Sequence, residues 1–393
     1  MNWQSLLDPD IQNFIRTHEG NDIAALALKK PPSPDWDYKA VLDQIKSRQK
    51  AKVKLPRWVN HHPDILFPPA DILEQASSAA TARYKAGLIK GQSFIDLTGG
   101  CGVDTCAMTE YFERGVCIEQ DKITAELIAH NIRLLSDTPV EVINIEAEDF
   151  IKDMPDTDVV IIDPQRRDQN RKGKYKFEDC EPNILELLPT LKEKAEHVVI
   201  KTSPMLDITE GIKALGNVEA VHVLEWNGEC KELVFIVSKK TVDDVPITAV
   251  SLDDEGEVLS SLAFTAQEEK NSKTELSAPQ KYLYEPGPAF QKSGGFNMIS
   301  QNFGVKKLAP QTHLYTSEAL KRDFPGRIFE ICGQFPAKAE KIQLKQAHIK
   351  SRNFPLKSEE LRKKLKIKDG GENYLFACTL EDGKKTILHT RKA

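Results

Sequence analysis

Between Phe94 and Thr105 the chain reads FIDLTGGCGVDT. An apolar run ends in a carboxylate, Asp96, then passes through Thr98 into a glycine turn with the spacing D-x-x-x-G-x-G, Gly100 and Gly102. Glycines where a strand turns into a helix let the backbone approach a ligand and supply φ values that other residues avoid. A dinucleotide turn would read G-x-G-x-x-G and set a pyrophosphate on the next helix N-terminus. Here the third glycine is missing and Val103-Asp104 follows. Asp104 places negative charge where a pyrophosphate would sit, and Asp96 is equally poor company for phosphate. The pair suits a cationic ligand without phosphate and argues against a nicotinamide-dependent dehydrogenase.

Glu119 lies 23 residues after Asp96, at the end of the next apolar run, GVCIE. That is near the spacing of about 20 residues at which a carboxylate meets a ribose, and a carboxylate there can accept from both ribose hydroxyls. After the third run comes EAEDF, where Asp149 or Glu148 is placed to accept from an adenine amine, with Phe150 alongside the ring. A ribose, an adenine and a cationic remainder describe S-adenosylmethionine. The expected cofactor set is Asp96, Thr98, Gly100, Gly102, Asp104, Glu119, Asp149, Phe150 and Asp163.

The fourth run, DVVIIDPQRRDQN, ends at Asp163-Pro164 and continues to Arg166 and Arg167. Pro164 stiffens the loop, and the Asp163 carboxylate can accept from a target amine. Guanidinium groups bind phosphate bidentately or stack on bases; the competing reading pairs these arginines with acids of the same domain. Asp163, Pro164, Arg166 and Arg167 are the candidate catalytic residues. The fifth run ends at Lys201-Thr202-Ser203-Pro204. Methylation of a pyrimidine at carbon 5 needs a cysteine thiolate. Ser203 stands there instead and Cys180 has no geometric reason to aim at a base, so that chemistry is disfavoured. Lys201 and Ser203 join the candidates for substrate contact. So do Arg83 and Lys85, in the helical stretch EQASSAATARYK, where Ser77, Thr81 and Lys85 share one face at i, i+4 spacing.

These residues need a frame. Short apolar runs (SFIDL, GVCIE, VEVIN, DVVIID, HVVIKT) alternate with helical stretches, a βαβ pattern that argues for a parallel sheet. VEAVHVLEW and KELVFIVS follow, joined by NGEC, and Asn-Gly is a hairpin signal. The expected fold is α/β: a Rossmann-like seven-stranded methyltransferase sheet, parallel with a terminal antiparallel hairpin. A helical N-terminal region precedes it and small α+β modules follow. The expected divisions are residues 1–70, helical; 71–240, the methyltransferase domain; 241–320, a small α+β segment; and 321–393, a basic module. Prolines at 56, 63, 68 and 69 mark residues 55–69 as an irregular connector.

The chain has 393 residues, 40% hydrophobic and 29% charged, and a net charge of −5. That composition is soluble and globular. No apolar run approaches the ~18 residues of a membrane helix, and the N-terminus lacks a secretion signal. Seven cysteines without a repeated C-x-x-C spacing argue against zinc or a disulfide framework, so the expectation is a cytoplasmic protein with no metal and no membrane partner. The charge is uneven: from Lys321 onward there are 18 Lys+Arg and 9 Asp+Glu, a net of +9, leaving −14 for residues 1–320. A basic tail on an acidic body is a plan for a nucleic-acid partner; a solvated lysine-rich face is the plainer alternative.

EQASSAATARYKAGLI, DLTGGCGVDT, IDPQRRD, IKTSPMLD, YLYEPGPAF and SRNFPLKSEELRKKLKI together resemble bacterial class I S-adenosylmethionine-dependent methyltransferase-like proteins that carry a C-terminal THUMP-like domain. The resemblance runs from about residue 55 to the end. It implies a methyltransferase core, a ferredoxin-like segment and a THUMP-like domain, and by analogy an RNA partner, tRNA or rRNA. Lys350, Arg352, Arg362 and Lys363 would then contribute salt-sensitive RNA affinity. The implied activity is non-covalent methyl transfer to a base nitrogen or other nucleophile. The alternative is an RNA-binding protein that keeps the fold without the transfer.

Overall fold

The computed structural model describes residues 3–166, 176–336, 342 and 344–393. It divides into two compact units. The first comprises Met1–Glu219, Glu232–Val242 and Leu252–Glu257; the second comprises Ala220–Lys231, Asp243–Ser251 and Val258–Ala393.

The first unit opens with helices α1 (Pro9–His18), α2 (Ile23–Ala27), α3 (Tyr38–Lys54), α4 (Pro56–His61), α5 (Ala70–Gln75) and α6 (Ala79–Ala86). Asp8 starts α1, its carboxylate accepting from the N–H groups of Asp10 (2.9 Å) and Ile11 (3.3 Å). Leu6, Ile11, Ile15, Val41 and Ile45 bury their apolar stripes in one core with Leu127. The connector expected to be irregular contains α4, because Pro56 stands at its first turn, where a missing N–H costs nothing. Arg48 on α3 fixes the rest of that connector. It is 2% exposed and donates to Glu19 Oε1 (2.5 Å) and the Ile65 carbonyl (3.2 Å).

The sheet of this unit follows. Strands β1 (Ser93–Asp96), β2 (Arg114–Ile118), β3 (Val140–Ile143) and β4 (Thr157–Ile162) alternate with α7 (Val103–Met108), α8 (Lys122–Leu135) and α9 (Ala147–Phe150). After a two-residue pair, β5 (Gln165–Arg166) with β6 (Cys180–Glu181), come α10 (Ile184–Lys194), β7 (Ala195–Thr202) and α11 (Ile208–Leu215). Beyond β8 (Val218–Trp226), β9 (Glu229–Ser238) runs back antiparallel to β7. The order is β9-β7-β4-β1-β2-β3. Strands β1, β2, β3, β4 and β7 are parallel. The strand order therefore reverses between β1 and β4, which opens a crevice at their carboxyl ends. Val159, Val160, Ile161 and Ile162 of β4 are all buried, as a strand covered on both faces must be. Each such side chain contributes about 1.5–3 kcal/mol.

β8 lies mostly in the second unit, so six of the seven expected strands belong to the first. Asn227 (φ 53°) and Gly228 (φ 71°) both take positive φ between β8 and β9, the requirement of a two-residue hairpin turn. In the second unit β8 neighbours β10 (Ile247–Leu252), and β10 neighbours β11 (Val258–Phe264). A seven-stranded sheet follows, built from β12 (Tyr282–Pro286), β13 (Lys306–Ala309), β14 (Thr312–Ser317), β15 (Gly326–Pro336), β16 (His348–Arg352), β17 (Asn373–Thr379) and β18 (Lys385–Lys392). Its order is β13-β14-β12-β15-β18-β17-β16, with Leu283, Leu314, Phe329, Phe376 and Leu388 in its core. Helices α12 (Ala266–Asn271), α13 (Pro288–Ser293), α14 (Phe296–Phe303) and α15 (Ser358–Leu365) complete the unit. The α/β sheet after N-terminal helices and the α+β remainder are the architecture expected above. Among the described residues no helix is long and apolar enough to cross a membrane.

Candidate functional site

The crevice is shaped by the turn after β1. Gly100 (φ 55°) and Gly102 (φ 73°) hold left-handed backbone, and Gly102 opens α7 without a side-chain cap. Gly99 is required for space instead: a Cβ there would stand 2.7 Å from Cys117 Sγ and 2.8 Å from Ile128 Cδ1. The turn can therefore lie flat on β2 and α8. Gly100 N–H donates to Glu119 Oε2 (2.8 Å), while Asp121 N–H donates to Oε1 (2.9 Å). Glu119 is thus fixed at both oxygens, and each keeps lone-pair capacity for a ligand. Burial raises its pKa above the ordinary value.

Asp96 faces inward. It is 2% exposed and accepts from Thr98 N–H (3.0 Å) and Thr105 Oγ1 (2.5 Å). Burial pushes its carboxyl up to about 7. Thr98 faces the crevice, and its hydroxyl accepts from Asp163 N–H (2.8 Å), joining the ends of β1 and β4.

Thr98, Gly100, Glu119, Asp121 and Asp163 border a cleft of about 650 Å³, which Asp96 and Gly102 do not line. Leu97, Ile118, Ile145 and Ala147 supply apolar wall; Glu119, Asp121, Glu148, Asp163 and Glu181 supply five carboxylates. Among the described residues no lysine or arginine lines it. Glu148 is the acid of α9 that reaches the cleft. Asp149 instead pairs with Lys152 (2.6 Å), and neither it nor Phe150 lines the cleft. One residue along a helix turns the side chain by about 100°, which separates the two acids.

Thr98, Gly100, Asp163 and Gln165 also border a small recess that reaches Ser77, Asp104 and Lys201. Here lies a buried charge network. Lys201, 7% exposed at the end of β7, donates to Asp163 Oδ2. Burial alone would lower the Lys201 pKa, but the charges of Asp163, Glu232 and Asp104 outweigh it and hold the ammonium well above its ordinary range. Lys85, 2% exposed, lies 3.0 Å from Asp104 Oδ1 and 2.8 Å from Glu232 Oε1, and donates to Ser77 Oγ (2.7 Å). Ser77 in turn donates to Asp104 Oδ2 (2.9 Å). Burial raises the Asp104 pKa, yet Lys85 and Lys201 bring it net below the ordinary value. Lys85 and Asp104 therefore face each other, inside the protein.

Sequence reasoning passed over Glu232, Gly99, Thr105 and Glu181. Glu232 alone had a signal: an acid heading the apolar run LVFIV must either turn outward or find a buried cation.

Other expected residues lie apart from this cluster. Arg83 Nη1 donates to the Glu255 carbonyl (3.1 Å), with its Nε 3.5 Å from Glu110. Ser203 Oγ accepts from Met205 N–H (3.3 Å). Pro164 is buried. Arg166 sits in β5, its backbone paired with Cys180; Arg167 lies outside the described residues. In the second unit, Arg352 (2.7 Å) and Arg327 (2.8 Å) clamp the fully buried Glu285. Lys350 is half-buried, with its pKa lowered by burial. Arg362 pairs with Asp369 (2.8 Å), and Lys363 is exposed. Beside the cleft, burial pushes the thiols of Cys101 and Cys106 up to about 12, so neither is a thiolate at neutral pH.

Comparison with known proteins finds two family models within the second unit. A ferredoxin-like domain model matches residues 282–325 and a THUMP domain-like model matches 326–392. The crystal structure of a candidate methyltransferase from Porphyromonas gingivalis W83 is 32% identical, covers 100% of this chain and 99% of its own, and superposes with a TM-score of 0.87. An uncharacterized S-adenosylmethionine-dependent methyltransferase of Mycobacterium tuberculosis is 22% identical over 330 residues, 81% of this chain and 86% of the relative.

Proposed function

The chain belongs to the S-adenosylmethionine-dependent methyltransferases that carry a THUMP-like C-terminal domain, and from that premise we propose that it methylates RNA, tRNA or rRNA, with the cofactor held in the acid-lined cleft beside Gly100 and Glu119. The observation that carries the assignment is the lining itself: five carboxylates, apolar walls and no described cationic side chain. Such a lining favours a cationic adenosyl ligand and disfavours a phosphate-bearing one. In this reading Glu119 accepts from the ribose hydroxyls, Glu148 accepts from the adenine amine, and Ile118 and Ile145 flank the ring. The bound cofactor supplies an electrophilic methyl on its sulfonium.

Asp163 stands where the cleft meets the recess, with Lys201 holding its Oδ2. Its other oxygen is the acceptor for a hydrogen bond from the target group, and Lys201 is the residue that orients it. Most of the rate enhancement then comes from positioning. The RNA assignment draws on the net charge of +9 from Lys321 onward and on the THUMP domain-like match over 326–392.

Transfer of tritiated methyl from S-adenosylmethionine to total RNA of a deletion strain tests the proposal. Label in the RNA fraction that needs the intact protein is the expected result. Cofactor binding without transfer would instead favour an RNA-binding protein that retains the fold.

A further inference from the structure

The second unit contains a cavity of its own, of about 470 Å³, between α14 and the start of β14. Its walls include two half-buried rings, Phe296 and His313, stacked face to face with centroids 3.5 Å apart and 13° between planes. His313 Nδ1 has no hydrogen-bond partner among the described residues, and the ring stacks on Phe296. Burial, reinforced by the charges of Lys307 and Arg352, brings the His313 pKa down to about 4, and the ring is neutral at physiological pH. Lys307, 4% exposed, stands 5.6 Å from the Phe296 centroid and donates to the Pro310 carbonyl (2.9 Å); burial lowers its pKa and the charge of Glu269 partly offsets that. Polar side chains complete the rim, Ser272 and Gln311 among them. The one carboxylate, Glu269, is turned to backbone: it accepts from the N–H groups of Asn297 (2.9 Å) and Met298 (2.9 Å).

A flat aromatic platform, a cation beside it and hydrogen-bonding groups around it are the elements that receive one nucleotide. A base locked in a duplex cannot reach such a platform; an unpaired one can. We propose that this cavity takes a single unpaired nucleotide of an RNA, its base against the Phe296–His313 pair and its phosphate at Lys307. The proposal rests on the RNA reading above and adds to it a place of contact remote in sequence from every cleft residue. A free nucleoside monophosphate offers the same chemistry, so the test must separate the two sources.

Full-length protein is titrated by fluorescence anisotropy with a labelled single-stranded oligoribonucleotide of about eight nucleotides. Free adenosine and uridine monophosphates are titrated separately. His313→Phe keeps a stacking ring; His313→Ala removes it. Binding of the oligoribonucleotide is expected to weaken about tenfold in His313→Ala and much less in His313→Phe. A 4-thiouridine version photocrosslinked to the unmodified protein, a readout independent of variant folding, is expected to attach between residues 296 and 313. Three results overturn the proposal. The first is unchanged oligoribonucleotide affinity in both variants while RNA methylation continues, which removes this site and leaves the RNA reading intact. The second is tight binding of free monophosphates that the oligoribonucleotide does not compete away. The third is the absence of both RNA binding and RNA methylation, which removes the RNA reading as well.

Discussion

The cleft beside Gly100 carries five carboxylates and, among the described residues, no lysine or arginine. The cavity beside Phe296 carries Lys307, and its one acid is bound to backbone amides. Charge is also uneven along the chain: −14 up to residue 320, a stretch that includes the residues of both the cleft and the cavity, and +9 beyond. On the proposed RNA reading, the cationic cofactor and the polyanionic substrate call for opposite local potentials. A basic cleft would repel the sulfonium, and an acidic RNA-facing surface would repel phosphate. The acids near the cleft are held by backbone N–H groups or buried lysines, whereas basic residues such as Lys363 stand in solvent.

The largest expected effect comes from breaking the buried network. Lys85→Met removes the cation paired directly with both Asp104 and Glu232, leaves them only the longer-range charge of Lys201, and should cost about 3–5 kcal/mol of stability, read as a lowered urea midpoint. Adding Glu232→Gln should restore part of the loss; no difference between single and double variants would mean that Glu232 and Lys85 are not coupled. Next is Glu119→Ala, which should weaken S-adenosylmethionine about 10- to 100-fold by calorimetry, the worth of charge-assisted hydrogen bonds. RNA affinity should not change. An equal fall in both would erase the separation between the two regions.

A smaller effect is pH-dependent. The Asp96 carboxyl is raised in the folded protein to about 7, from 3.8. Between those values the unfolded chain is ionised while the folded one keeps its proton. Stability contributed by this group is therefore fully present below about pH 4 and falls as pH rises toward about 7, by up to ~1.4 kcal/mol per pH unit. Asp96→Asn should flatten that slope in denaturation curves; an unchanged slope would assign it to other groups. The mildest test is on the basic side. Replacing Lys363 and Lys364 by Ala should reduce the slope of log affinity for RNA against log salt by about 1–2 and leave cofactor binding alone.

Much of the frame was legible because local rules decide it. The apolar runs became β1 to β4 and β7, the Asn-Gly turn took two positive φ values, and Gly100 and Gly102 stand where left-handed backbone is needed. The pairing of Gly100 with Glu119 was also within reach, since adjacent parallel strands end side by side. What lay hidden depends on contacts between distant segments. Ser77 and Glu232 are 155 positions apart, and although the apolar run after Glu232 leaves room for a buried cation, nothing local names the lysine they share. Lys85 reads as a surface cation until the fold closes over it. Glu148 and Asp149 differ only in rotation about α9, which no composition or spacing at that point determines. Pro56 misled because proline both breaks helices and opens them, and only the following turn decides which.

The central claim is that the cleft beside Gly100 and Glu119 is the cofactor site. Electron density from crystals soaked with S-adenosylhomocysteine tests it directly. The account predicts an adenosyl ligand with its ribose hydroxyls on Glu119 and its adenine between Ile118 and Ile145, near Glu148. Density elsewhere, or a pyrophosphate-bearing nucleotide retained in this cleft in its place, would contradict it.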